Sequence, residues 1–216
     1  MTSSGLAIES CLITLEGGEG AGKSTVLSAL RDALLADGCE VVSTREPGGT
    51  PLAERIRELL LDPSHEAASS DTELLLMFAA RAQHVSERIL PALRRGAWVI
   101  SDRFTDSSHA YQGAGRGLDG AFIDELERRV VGIEPGLTLL LDLGIAHGRE
   151  RTRGRDLLPD RIERERDEFF ERVRGGFLAR AVQHPRRFKV IDASPAADVV
   201  ADAAVAALRQ YREGMS

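Results

Sequence analysis

Gly17-Gly18-Glu19-Gly20-Ala21-Gly22-Lys23-Ser24 is the stretch that decides how this chain folds, and Thr25 follows it directly. Its fixed positions match the pattern G-x-x-x-x-G-K-[ST]. In such loops the backbone N–H groups wrap phosphates, the lysine reaches the β- and γ-phosphates, and the hydroxyl ligates Mg²⁺. Glycine is needed because a side chain would keep the main chain away from the phosphates. We therefore predict that residues 17–25 bind a nucleotide rather than form a ligand-free turn.

The segments around this loop alternate between short apolar runs and amphipathic stretches. Leu12-Ile13-Thr14-Leu15 is typical of a buried strand, and apolar residues recur at helical spacing from Ser24 to Leu35. Four more strands are predicted at residues 41–43, 98–101, 137–141 and 188–191. Helices are predicted at 52–60, 70–96 (starting at a capping box of Ser70 and Glu73), 119–131, 162–181 and 196–211. This order predicts an α/β fold with a five-stranded, mainly parallel sheet and helices on both faces.

Length and composition narrow the class of protein. A chain of 216 residues suits a single domain covering residues 1–216. The net charge of −6 argues against a protein that coats nucleic acid, and no apolar run is long enough for a membrane span. The first residues lack a secretory signal pattern, and the two cysteines form no disulfide framework, so we expect a cytoplasmic protein. Lys23 and Lys189 are the only lysines, and the other cationic side chains are arginines.

Two arginine motifs follow predicted strands and should lie at the carboxyl edge of the sheet, where open α/β folds bind ligands. Asp102-Arg103 follows the third strand directly. An aspartate there can join a metal shell while the arginine grips an acceptor phosphate, although a surface ion pair is the alternative. The segment Arg45-Glu46-Pro47-Gly48-Gly49 follows the second strand, and an ordinary turn is its alternative.

Arg81 lies four residues from Met77 and from Val85, which places it on the apolar stripe of a predicted helix. A buried guanidinium needs partners. It therefore either pairs with an internal carboxylate or lines a pocket and binds a ligand. The segment 111–117, which begins with Tyr111 and Gln112, is predicted to be a glycine-rich loop suited to recognising a base or sugar.

Arginines are dense from Arg149 to Arg155, and Asp160-Arg161-Ile162-Glu163 follows. Solvated charge on a helix explains this pattern, and so does a mobile lid around residues 149–163 that delivers arginines to a transferring phosphoryl group. The sequence contains neither the guanine-reading Asn-Lys-x-Asp of regulatory GTPases nor a Leu-Ser-Gly-Gly-Gln signature of transport ATPases. A kinase acting on a small acceptor is favoured.

Together these motifs resemble the thymidylate kinase family, specifically its bacterial branch, over nearly the whole chain. The resemblance rests on the phosphate loop 16–25 and on the segments 44–50, 79–81, 102–104, 110–113, 115–117 and 160–163. It implies a P-loop nucleoside monophosphate kinase fold, ATP-dependent conversion of dTMP to dTDP with Mg²⁺, and a homodimer. There are two alternatives. The chain could be a kinase that acts on another nucleoside monophosphate, or a nucleotide-binding subunit without catalytic activity.

The resemblance also implies residue roles. Lys23 would follow the transferring phosphoryl group, Ser24 and Asp102 would lie at Mg²⁺, and Glu19 would contact the acceptor's 3′-hydroxyl. The acceptor's phosphate would be held by Arg45 and Arg103, and its nucleoside by a group of side chains that includes Pro47, Arg81, Ser108, Tyr111 and Gln112. Tyr111 would crowd the 2′ position and favour deoxyribose.

Two features of the sequence bear on variation within that family. Glu19 gives the phosphate loop an acidic residue, so the chain resembles the type whose catalytic arginines come from the lid, here Arg151, Arg153 and Arg155. A phenylalanine often stacks on the thymine four residues before the base-reading arginine, and this chain has Met77 there with Phe78 next to it. The sequence leaves open which of the two faces the base.

Overall fold

The computed structural model describes residues 8–64, 66–153 and 160–215. Within these ranges five strands form one sheet in the order β2-β3-β1-β4-β5, and every neighbouring pair is parallel. The strands are β1 (Leu12–Gly17), β2 (Val41–Arg45), β3 (Trp98–Asp102), β4 (Leu137–Asp142) and β5 (Phe188–Asp192). The predicted parallel sheet is confirmed, and its central strand β1 runs directly into the glycine-rich loop.

Helices connect successive strands, as parallel pairing requires. The longer ones are α1 (Lys23–Ala36), α2 (Pro51–Leu61), α3 (Ser70–His84), α8 (Asp167–Gln183) and α9 (Ala197–Glu213). The shorter ones are α4 (Leu90–Arg94), α5 (Thr105–Ser108), α6 (Gly120–Leu126) and α7 (Ile145–Thr152), with π-helical segments at Val85–Ile89, His109–Gly115 and Glu127–Val131 and a 3₁₀ turn at Ile8–Cys11. Within the described ranges, no helix combines the length and the apolar character needed to cross a bilayer.

Both faces of the sheet are covered, because side chains of a strand alternate between them. Ile13 and Leu15 of β1 pack with residues of α1 and α9, whereas Leu12 packs with residues of α3 and α4. Leu140 of β4 packs against the aromatic residues of α8. The predicted helices on both faces are thus confirmed.

The long helix predicted over residues 70–96 begins at Ser70 as predicted, but its capping residue and its middle differ from the prediction. Ser69, not Ser70, caps α3, because its hydroxyl accepts a hydrogen bond from the Thr72 N–H at 3.2 Å. Glu73 is buried among arginines and takes no part in capping. A π-helical segment interrupts the helix just before Pro91, whose ring nitrogen has no N–H to donate.

The predicted loop at residues 111–117 is wrong over most of its length. The chain is helical from Thr105 through Gly115, and its glycines at 113 and 115 have negative φ angles. A Cβ at Gly115 would lie 2.7 Å from the Phe169 ring, so this glycine serves close packing against α8. The helix predicted from residue 162 begins instead at Asp167, because the Asp160 carboxylate holds a turn by accepting from the N–H groups of residues 162 and 163.

Candidate functional site

The glycine-rich loop joins the end of β1 to the first turn of α1. Gly22 has φ +88°, a left-handed conformation that leads directly into the helix at Lys23. The Lys23 ammonium donates to the Gly17 and Gly18 carbonyls at 3.2 and 2.9 Å, inside the curve of the loop. Burial, reinforced by the nearby Arg103, lowers the pKa of Lys23 to about 8. The helix N-terminus and this ammonium form an anion-binding concavity.

A cleft beside the loop has the oxygen groups that Mg²⁺ prefers. Ser24 and Asp102 line this cleft together with Arg45. Among the described residues, Asp102 has a buried carboxylate oxygen, Oδ1, with no hydrogen-bond partner. A buried carboxylate oxygen near a hydroxyl suits a hard divalent cation, so these residues fit the ion that the sequence predicted.

A second cavity of about 180 Å³ adjoins the loop at Glu19. It brings together most of the residues predicted for the acceptor: Glu19, Pro47, Met77, Arg81, Arg103, Ser108, Tyr111 and Gln112. Burial raises the pKa of Glu19, and the neighbouring Glu163 carboxylate raises it further. Arg45 and Phe78 are not part of the lining. We call this cavity the acceptor pocket.

Arg81 pairs with an internal carboxylate and also lines the pocket, whereas ligand binding by Arg81 stays a prediction. It is 3% exposed, and its Nε donates to Glu46 Oε2 at 2.6 Å. Its two terminal nitrogens donate to Ser108 Oγ at 2.9 Å and to the Phe104 carbonyl at 3.0 Å. The guanidinium therefore pairs with an internal carboxylate while one edge lines the acceptor pocket. His84 lies 3.0 Å from the other Glu46 oxygen and helps to fix this carboxylate.

Arg103 connects the phosphate loop with the acceptor pocket. Its Nη1 donates to the Gly17 carbonyl at 3.1 Å, and its guanidinium lies 4.9 Å from the Tyr111 ring centre. Its backbone has φ +70°, which is uncommon for a residue with a side chain. Glu16 stabilises the turn that follows, since its carboxylate accepts from the Phe104 N–H at 2.8 Å and the Ser107 hydroxyl at 2.6 Å. Burial raises the pKa of Tyr111.

Met77 and Phe78 occupy different surroundings. Met77 lines the acceptor pocket, whereas Phe78 is 2% exposed and packs in the core cluster between α3 and β3. The Phe78 ring lies 4.7 Å from the Arg81 guanidinium carbon and supports it from the core side. The structure thus directs Met77, not Phe78, toward the pocket.

Arg57 is a pocket residue that the sequence reading missed. It lines the acceptor pocket and donates to the Pro47 carbonyl at 2.9 Å, while burial and the adjacent Arg45 lower its pKa. Arg45 itself is exposed and pairs with Glu54 at 3.1 Å. Arg57 follows the buried Ala53 by four residues, so the periodicity argument applied to Arg81 would have found it.

Arg151 is tied to the backbone near the phosphate loop. It donates to the carbonyls of Ala193, Ser194 and Pro195 at 2.7, 2.8 and 2.8 Å, after β5. Arg151 lies on α7, and this helix contacts the loop directly, since a Cβ at Gly20 would lie 2.7 Å from the Gly148 carbonyl oxygen. These contacts join α7, the loop and the end of β5 into one unit.

The other predicted lid arginines differ in their surroundings. Arg153 is exposed at the end of α7, and Arg155 lies outside the described residues. Arg149 pairs with Asp167 and lies 5.0 Å from the Phe170 ring centre. Arg151 is thus held by backbone carbonyls, whereas Arg153 is exposed to solvent.

A phosphate loop at the end of the central strand, facing a second pocket through one shared arginine, defines a P-loop kinase of nucleoside monophosphates. Comparison with known proteins agrees. The family model for thymidylate kinase matches residues 15–204. A thymidylate kinase of Chromohalobacter salexigens is 58% identical over 190 residues, which is 87% of this chain and 90% of that protein.

Two further relatives extend this agreement. A thymidylate kinase of Pseudomonas savastanoi pv. phaseolicola is 55% identical over 206 residues, covering 94% of this chain and 98% of that protein. The crystal structure of thymidylate kinase from Ehrlichia chaffeensis has a TM-score of 0.76 and 33% identity, covering 91% of this chain and 97% of that one. The chain belongs to the thymidylate kinase family, and its reaction is the phosphorylation of dTMP.

Proposed function

We propose that the chain transfers the γ-phosphoryl group of ATP directly, in line, to the 5′-phosphate of dTMP, giving ADP and dTDP. The observation that carries this proposal is the position of Arg103, which contacts the Gly17 carbonyl of the phosphate loop and lines the acceptor pocket. A cation shared by the two sites lies where the donor and acceptor phosphates must meet. Positioning and charge neutralisation then supply most of the catalysis.

On the acceptor side, Arg103 and Arg57 bind the dTMP phosphate from within the pocket, and Arg45 contributes from its rim. Arg81, Ser108 and Gln112 hydrogen-bond the thymine, with Met77 against its face. Tyr111 and Pro47 close the sugar site so that a 2′-hydroxyl is disfavoured. Glu19 accepts from the 3′-hydroxyl.

On the donor side, residues 17–25 wrap the ATP phosphates with backbone N–H groups, and Lys23 exchanges its carbonyl partners for phosphate oxygens. Ser24 and Asp102 would hold Mg²⁺, which supplies charge neutralisation to the ATP phosphates when bound. Arg153 and Arg155 neutralise the transferring group, while Arg151 keeps α7 in place against the loop. A mobile lid around residues 149–163 within a single domain, a homodimer and a cytoplasmic location complete the proposal.

A coupled assay of ADP release across dTMP, dUMP, UMP, dCMP and AMP tests the function. We expect kcat/KM for dTMP to exceed that for UMP by about a hundredfold or more, because Tyr111 crowds the 2′ position. Equal turnover of UMP and dTMP would remove the role of Tyr111. ATP binding without any dTDP formation would favour a non-catalytic nucleotide-binding subunit instead.

A further inference from the structure

Glu73 is a buried carboxylate that the proposed reaction does not use. It lies on α3, about two turns before Arg81, and is 1% exposed. Its Oε1 accepts from Gln112 Nε2 at 2.8 Å. Its Oε2 accepts from Arg161 at 2.7 Å and from Arg116 at 3.2 Å. One side chain of α3 thus holds a pocket amide and two cations from distant parts of the chain.

The protonation state of Glu73 determines what it can accept. Burial raises its pKa, but the Gln112 hydrogen bond and the two arginines outweigh burial, and the net pKa is below its ordinary value. An ionised carboxylate only accepts hydrogen bonds. The group of Gln112 that faces Glu73 must therefore be the amide NH₂, and the amide cannot turn over without losing this bond.

We propose that Glu73 is a positioning residue for the acceptor base: it fixes the Gln112 amide so that its carbonyl oxygen, Oε1, faces the base and selects one with an N3–H. This inference rests on the proposed function. Thymine and uracil carry a donor at N3 and an acceptor at O4, whereas cytosine carries an acceptor at N3 and a donor amino group at C4. Glu73 thereby makes the acceptor pocket select against cytosine.

Arg81 makes the orientation of this amide decisive. Its guanidinium offers donors only, and its edge lines the same pocket as Gln112. A donor from Arg81 beside an acceptor from Gln112 matches the O4 and N3–H of thymine. The reversed amide would place an NH₂ donor beside the Arg81 donor. Thymine O4 could still accept from Arg81, but N3–H would then face a second donor.

Glu73→Gln tests the proposal because its effect on the amide has a definite direction. Arg161 and the Nη2 of Arg116 donate to Oε2 at 2.7 and 3.2 Å, whereas Arg116 Nε reaches Oε1 only at 3.4 Å. The new carbonyl oxygen should therefore stay at the Oε2 position, which leaves the new NH₂ toward Gln112. The Gln112 amide then turns over and presents NH₂ to the base. Steady-state kinetics with dTMP, dUMP and dCMP at saturating ATP measure the result.

We expect the ratio of kcat/KM for dUMP over dCMP to fall about tenfold or more, since these two acceptors differ only at the N3 and C4 positions. KM for dTMP should rise by a similar factor while kcat changes less than about threefold. A merely structural role for Glu73 would lower turnover of all three acceptors together and leave this ratio unchanged.

Glu165→Gln is the matched control. Glu165 pairs with the same Arg116, whereas the Gln112 amide donates to Glu73, so the same chemical change at Glu165 should leave the ratio within about twofold of wild type. A ratio within twofold of wild type in Glu73→Gln would overturn the proposal. If that variant does not fold, Gln112→Leu answers the same question, because an unchanged ratio without the amide also overturns it.

The wild-type protein in the same assay separates a failure of the proposed function from a failure of the role assigned to Glu73. No turnover of dTMP by the wild type would overturn the proposed function and this inference together. Normal wild-type turnover with an unchanged ratio in the folded variants would overturn the role of Glu73 alone.

Discussion

The phosphate loop and the acceptor pocket, the two proposed binding sites, offer different parts of the protein to phosphorylated ligands. The loop offers backbone N–H groups, a helix N-terminus and the Lys23 ammonium. The pocket offers side chains, and buried carboxylates hold them in place: Glu46 holds Arg81, and Glu73 holds Gln112. Backbone groups recognise phosphates without regard to the attached base, whereas oriented side chains read one base edge. The comparison explains why selectivity should reside on the acceptor side.

Lys23→Met should have the largest effect and would break the donor side of this comparison. It removes the cation that we propose to accompany the transferring phosphoryl group, so we expect kcat/KM to fall about a thousandfold or more. Lys189→Met is the control, because the chain has only these two lysines and Lys189 is exposed on β5. Retention of dTMP binding by Lys23→Met, measured by calorimetry, would show that the acceptor pocket is intact; activity within tenfold of wild type would contradict the assignment.

Arg153→Ala should lower kcat about a hundredfold, because Arg153 is proposed to stabilise charge only in the transition state. Arg151→Met should mainly raise KM for ATP, by about threefold to tenfold, because its carbonyl contacts position α7 beside the loop. Initial rates over a matrix of ATP and dTMP concentrations separate the two outcomes. Wild-type kcat in Arg153→Ala would exclude Arg153 from catalysis.

Arg81→Ala should raise KM for dTMP about thirtyfold and leave KM for ATP nearly unchanged, because Arg81 belongs to the acceptor pocket alone. The change also leaves Glu46 buried without its cation, which costs stability. Arg180→Ala is a matched control, since it breaks a buried pair with Asp106 but does not line the pocket. Equal loss of stability in both variants, with a KM effect only in Arg81→Ala, would assign the KM effect to base recognition. An unchanged dTMP KM would refute base recognition by Arg81.

The pH dependence should distinguish the lysine of the donor side from the arginines of the acceptor side. With the Lys23 pKa lowered to about 8, protonated Lys23 is lost as pH rises, so kcat/KM for ATP should fall about fivefold between pH 8 and pH 9. Burial and Asp106 also raise the pKa of Glu16 to about 8. If Lys23 causes the fall in kcat/KM, the fall should persist in Glu16→Gln, which lacks the second group of similar pKa. A flat profile up to pH 9.5 in both proteins would contradict the assignment to Lys23.

The sequence was sufficient for the features that local patterns encode. The loop 17–25 and five apolar strands predicted the sheet and the parallel direction of its strands. Spacing on α3 also predicted that Arg81 is buried. These features depend on neighbours within a few residues along the chain, which periodicity records.

Local sequence patterns could not predict hydrogen bonds between residues that lie far apart along the chain. Glu46 meets Arg81 across 35 positions, and Arg161 meets Glu73 across 88, so no local pattern signals either contact. Glu73 instead matched a capping motif, because a glutamate three residues after a serine looks the same whether it caps a helix or anchors a pocket. The π-helical segment at 109–115 was predicted to be a loop for a similar reason. Its glycines suggested a loop, but Gly115 allows close packing against α8.

The scarcity of lysine gives the Lys23 environment a practical consequence. Apart from the chain's amino terminus, amine-directed reagents can modify only Lys23 and Lys189. At pH 8.5 an amine whose pKa is about 8 is mostly in its nucleophilic form, whereas an ordinary lysine, with a pKa of about 10.4, is almost fully protonated. The phosphate loop thus contains its own chemical reporter, whose labelling rate would measure directly how fully ATP covers the ammonium.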